Sequence, residues 1–157
     1  MKRKKSAARQ SSQLARPQVI FYSIAAALCL AGLVDATYLT VEALTGETVS
    51  CGGSRGCSEV LGSAYSHIGI VPVAAFGIVG YFSAFCSATF AGFGYSRAAK
   101  LFAITVGLML LATLWFLYVQ MFVLHSYCRY CLFSAAMTFL LAAIVVAAPA
   151  SVRSQAR

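Results

Sequence analysis

The chain has 157 residues, of which 61% are hydrophobic and 10% are charged, and its formal net charge is +8. Soluble domains carry about 25% charged residues, so this chain cannot build a water-facing surface without apolar patches larger than a soluble monomer tolerates. The composition excludes a soluble globular domain and points to lipid, and the length admits a handful of spanning helices of about 20 apolar residues each.

A polar, basic arm occupies residues 1–18. Four apolar runs of spanning length follow, at about 19–39, 69–91, 101–124 and 131–148. Between the first two lies the one long connection, 40–68, with five glycines and the residues Cys51 and Cys57. Residues 149–157 form a short tail. The fold class predicted is an all-α integral membrane protein: a four-transmembrane-helix bundle over 19–148 with a long outer loop between helices 1 and 2. The first run is too long for an ordinary signal-peptide core and carries Asp35 where a cleavage site would be sought, so it reads as an uncleaved span.

Charge asymmetry predicts the orientation. Lys2, Arg3, Lys4, Lys5, Arg9, Arg16, Arg97, Lys100, Arg153 and Arg157 fall on one side of such a bundle, which is ten of the twelve basic residues. Arg55 and Arg129 fall on the other side with all four acids, Asp35, Glu42, Glu47 and Glu59. The positive-inside rule then places both termini in the cytoplasm. The basic arm reads as a topology signal against anionic lipid rather than as a nucleic-acid site.

This orientation gathers four of the six cysteines on the outer side, where a periplasm or similar compartment permits disulfides. Cys128-Arg-Tyr-Cys131 stands at the outer end of the fourth span, where free N–H groups and the positive end of the helix dipole favour a thiolate at Cys128. Cys51 and Cys57 enclose five residues of which three are glycine, a segment able to close a small ring and to move its sulfurs. Three readings are open: a redox relay, a four-cysteine zinc site, and a pair of structural staples. The relay is favoured, because a bundle in lipid needs no staples and zinc ribbons present both cysteine pairs as short knuckles. No resident metal is then expected. Cys131, at the outermost turn of an apolar helix beside the lipid phase, suits electron transfer to a membrane quinone. Cys29 and Cys86 lie inside spans and read as packing residues.

The motif set resembles the bacterial branch of the vitamin K epoxide reductase family. The resemblance covers about Ile20 to Ala148 and rests on four stretches: Cys51-x5-Cys57, then Cys57-Ser-Glu-Val-Leu-Gly-Ser63-Ala-Tyr65, then Gly69-Ile-Val-Pro72-Val-Ala-Ala-Phe-Gly77 with Tyr81 beyond it, and Cys128-x-x-Cys131. The order separates it from DsbB-type oxidases, which carry their C-x-x-C in the first outer loop. The resemblance implies that a reduced thioredoxin-fold partner attacks the loop disulfide at Cys57. Cys51 then attacks at Cys128, and Cys131 reduces a quinone, menaquinone or ubiquinone. It also implies that Ser63 assists near the quinone. Ala135 stands where vertebrate members carry a functional tyrosine, which favours a simple quinone over vitamin K epoxide. The chain ends shortly after Pro149, so a separate periplasmic DsbA-like protein is the expected partner, with the enzyme in the bacterial inner membrane.

Among the other polar residues, Asp35 is a candidate for proton supply or quinone contact, since an intramembrane acid is a functional candidate by default. His67 and His125 read as interfacial contacts. Trp115, Phe116, Tyr118 and Phe122 read as bundle packing and aromatic belt.

Overall fold

The computed structural model describes residues 2–45 and 56–147, with side chains from residue 18 to 45 and from 59 onward except Ile68. Cys51 lies outside the described residues, and the side chain of Cys57 does too. Among the described residues, four helices are long and apolar enough to cross a membrane: Gln18–Thr45, Val73–Gly92, Ser96–Val123 and Arg129–Ala147.

The first of these belongs to helix α1, Lys2–Thr45, which takes in the basic arm without interruption. It continues past Leu39, so residues 40–45, read from sequence as the start of the loop, are helical. Thr40 and Thr45 bond back to the carbonyls of Ala36 and Val41, which satisfies their hydroxyls within the apolar helix. A short helix α2, Gly56–Leu61, and a single turn of 3-10 helix, Ala64–Ser66, follow in the connection between the first two spans.

The second span begins later than its hydropathy suggests. Residues from Gly69 are apolar, but strands β1 (His67–Ile68) and β2 (Val71–Pro72) form an antiparallel hairpin instead, and Gly69 adopts φ +66° in its turn. Pro72 is the cap before α3, Val73–Gly92. At its far end α3 stops in a Schellman motif. Tyr95 N–H donates to the Phe90 carbonyl, and Gly94 N–H donates to the Ala91 carbonyl with φ +94° at Gly94. The Phe90 and Tyr95 rings meet edge to face at 6.2 Å. Helix α4, Ser96–Tyr118, starts two residues after Gly94, five residues earlier than the sequence reading. It runs into a π turn, Val119–Val123, before the chain reaches α5, Arg129–Ala147.

The helices are apolar around their whole circumference, so lipid and core faces differ by size rather than polarity. Ala25, Ala84, Ala88 and Ala91 are buried with Cys29, and they let the backbones approach closely. Large residues such as Val34, Leu111 and Phe133 face outward. The helices form a four-cornered ring: α1 packs on α3 and α5, and α4 packs on the same two helices. The diagonal from α3 to α5 is bridged by Tyr81, whose hydroxyl donates to the Ser134 carbonyl at 2.8 Å and also meets Ser134 Oγ and Thr138 Oγ1. Gly32 of α1 makes room for this ring. A Cβ there would collide with the Tyr81 ring. At the opposite end from the C-x-x-C, Gln18 Nε2 donates to the Ala91 carbonyl and ties α1 to the end of α3.

Candidate active site

The inside of the ring, at the end where α5 begins, holds a cavity of about 230 Å³. Its walls come from all four spans: Ala36 and Leu39 of α1, Phe76 and Gly77 of α3, Thr113 and Phe116 of α4, and Cys131 and Ala135 of α5. Tyr81 and Thr138 line it more deeply, while Val60, Ser63 and Ser66 of the connection between the first two spans line its other end. On α5 the lining residues Cys131, Ser134, Ala135 and Thr138 recur at intervals of three and four, which puts them on one helical face. Cys131 therefore points into the bundle, half-buried, and not toward lipid as its sequence position suggested.

Cys128 precedes α5 and is fully buried. Its carbonyl accepts the Leu132 N–H at 3.0 Å as the helix starts. A side-chain hydrogen bond from Cys131 holds the Cys128 thiol below its ordinary pKa. The backbone N–H groups of Cys131 and Tyr130 add to this, against the opposing effects of burial and of the Asp35 charge. Val60 of α2 packs on Cys128 together with Leu124, Tyr130 and Cys131. The helix that carries Cys57 in sequence is thereby seated on the C-x-x-C. Glu59 of the same helix accepts a hydrogen bond from Ser126 Oγ, and the Tyr130 ring meets Tyr38 of α1 at 5.3 Å with the planes tilted by 46°.

Ser63 lines the cavity with its hydroxyl donating to the Val60 carbonyl at 2.7 Å, so it also closes the end of α2. Asp35 is buried at 8% exposure rather than reaching the interface, and its Oδ2 is enclosed without a hydrogen-bond partner among the described residues. An unpartnered carboxylate oxygen in an apolar bundle is costly unless the group is neutral or has a task. His67 Nδ1 meets Ser66 Oγ at 2.7 Å at the cavity mouth, whereas His125 takes φ +49° in the connection before Cys128. Of the four aromatics of the third span, Trp115 stacks on Tyr118 and Tyr118 meets Phe122 at a tilt, all three exposed on the bundle's surface, and Phe116 instead lines the cavity. Cys29 lies in the main core, and Cys86 is half-buried in α3.

Sequence reasoning passed over Gln120. Its side chain is 2% exposed, and its Oε1 accepts the N–H of Cys128 at 3.3 Å. Its carbonyl takes the Ser126 N–H, and the π turn around it delivers both groups to the C-x-x-C. The available signal was a single amide in an otherwise apolar run from Leu101 to Leu124.

A cysteine pair seated at the mouth of an intramembrane cavity, with one thiol buried under a loop helix and the other opening inward, is suited to thiol exchange on one side and transfer into lipid-soluble chemistry on the other. Residues 23–146 match the vitamin K epoxide reductase family. The chain belongs to that family. It is a multi-pass membrane oxidoreductase acting through thiols, and vitamin K epoxide reductase family members are in general linked to quinones. No curated protein is found to match the chain.

Proposed function

We propose that the protein reoxidises a separate periplasmic DsbA-like thioredoxin-fold protein and passes the electrons to a membrane quinone, so sustaining disulfide formation. It works in the bacterial inner membrane with both termini cytoplasmic and its redox cysteines outside. The observation that carries this reading is the position of Cys131 in the lining of an apolar intramembrane cavity while its partner Cys128 lies under the helix that begins beside Cys57.

The reduced partner attacks the Cys51–Cys57 disulfide at Cys57 and leaves oxidised, with both loop cysteines as thiols. Cys51 then attacks the Cys128–Cys131 disulfide at Cys128, and Cys131 is released. Closure of the Cys51–Cys57 bond frees Cys128, whose depressed pKa makes it a good leaving thiolate. The C-x-x-C now stands as a dithiol. A quinone in the cavity takes two electrons and two protons and leaves as hydroquinone, and Cys128 and Cys131 are again joined.

The residues present fit such an acceptor: apolar walls for a flat ring, with few polar groups to orient it. Ser63 lines this cavity and stands beside the ring; Asp35 lies outside the lining, and its role as the proton supply is supported by its charge acting on Cys128 and by its enclosed oxygen, which has no partner among the described residues. Purified protein supplied with a reduced DsbA-like protein should oxidise it only when quinone is added. Substitution of any one of Cys51, Cys57, Cys128 or Cys131 by serine should abolish turnover, and full turnover in any of these variants contradicts the scheme.

A further inference from the structure

Gln120 is a fully buried amide with one half of its hydrogen-bonding capacity used. Because the Cys128 backbone N–H is a donor, the group facing it must be the amide oxygen, which fixes the orientation of the side chain at 3.3 Å. The NH2 group therefore faces away from Cys128. It has no partner among the described residues, yet it is not a sealed polar atom, and Gln120 lines the cavity into which Cys131 opens. A donor left open within a largely apolar cavity favours a ligand that brings an acceptor.

Several other polar groups around the cavity are already engaged, although the hydroxyls of Thr113 and Tyr65 also line it without a hydrogen bond among the described residues. Tyr81 O–H is bonded to Ser134, Ser63 Oγ to Val60, and Ser66 Oγ to the carbonyls of Leu61 and Ser63. Gln120 is left as the amide donor nearest the C-x-x-C. We infer that the Gln120 side-chain NH2 hydrogen-bonds a ring carbonyl of the electron acceptor while its oxygen holds Cys128. One residue then sets the position of the C-x-x-C and of the acceptor together. The inference rests on the quinone reading above. As the acceptor is reduced, its carbonyl oxygen gains negative charge and the same N–H···O bond strengthens, which favours the reduced product.

The test uses the intact protein in lipid, loaded with a short-chain ubiquinone labelled with carbon-13 at its ring carbonyls and carrying nitrogen-15 in its glutamine side-chain amides. Solid-state dipolar recoupling should report a carbonyl carbon within about 4.5 Å of an amide nitrogen, the separation an N–H···O=C bond requires, and Gln120→Met should erase that coupling. Gln18, at the far end of the bundle, cannot supply it. Gln120→Met should also raise the KM for quinone about tenfold, the effect of a lost bond worth about 1.4 kcal/mol. Quinone that is bound and reduced by the wild-type protein with no such coupling overturns the assignment of Gln120 and leaves the acceptor reading standing. Wild-type protein that neither binds nor reduces quinone overturns the acceptor reading itself.

Discussion

Ser126 donates a hydrogen bond to Glu59, joining the turn that leads into Cys128 to the helix that begins beside Cys57. The two residues are far apart in sequence, and their contact ties α2 to the turn before the C-x-x-C. Val60, the next residue, packs on Cys128 itself. Ser126→Ala should loosen the tie by about 1 kcal/mol. Rapid-mixing measurements should show exchange between loop and C-x-x-C slowed about fivefold, with quinone reduction by the pre-reduced protein unchanged. Equal slowing of both steps would count against a docking role.

The Cys128 thiol is held below its ordinary pKa chiefly by the side-chain hydrogen bond from Cys131. A lowered pKa extends the thiolate to lower pH. Titration of the reduced protein by ultraviolet thiolate absorbance should therefore find a cysteine ionising below the usual value of about 8.5. Cys131→Ala, which removes the leading cause, should move that transition upward, and a transition that stays in place would refute the stated cause.

Gly32→Ala would drive a methyl group into the Tyr81 ring. The cost of such overpacking is about 1–3 kcal/mol, read as a lower thermal midpoint in detergent. Pairing it with Tyr81→Ala should recover part of that loss, because the two sites share one space. Simple additivity in the double variant would mean the clash is relieved elsewhere.

The spans were legible in sequence because the bilayer imposes length and apolarity on each one, and the C-x-x-C and the loop motifs carried the family. What faces what was not legible. With apolar residues on every side of a helix, no periodicity marks the inner face, so Phe116 in the cavity and Trp115 on the outer surface look alike as letters. The start of α3 was misplaced because Gly69 to Pro72 is apolar enough to pass for membrane, while turn geometry at Gly69 folds it into a hairpin. Gln120 was missed because its role depends on a π turn, and hydropathy does not register a change in helix pitch.

Asp35 combines burial with an unpartnered Oδ2. Asp35→Asn keeps the shape and removes the exchangeable acid. Quinone turnover should fall at least tenfold, and general acid–base groups typically contribute about 10²–10⁴-fold. Thiol exchange with the partner should continue at its normal rate. Unchanged quinone turnover would remove Asp35 from the proton path.

The central claim is that electrons leave the protein through Cys131 into the intramembrane cavity. Pre-reduced, partner-free protein mixed anaerobically with quinone, and followed by quinone absorbance in one turnover, tests it most directly. The wild-type protein and Cys57→Ser should both reduce quinone rapidly, while Cys131→Ser should reduce none. Rapid quinone reduction by Cys131→Ser would contradict the account.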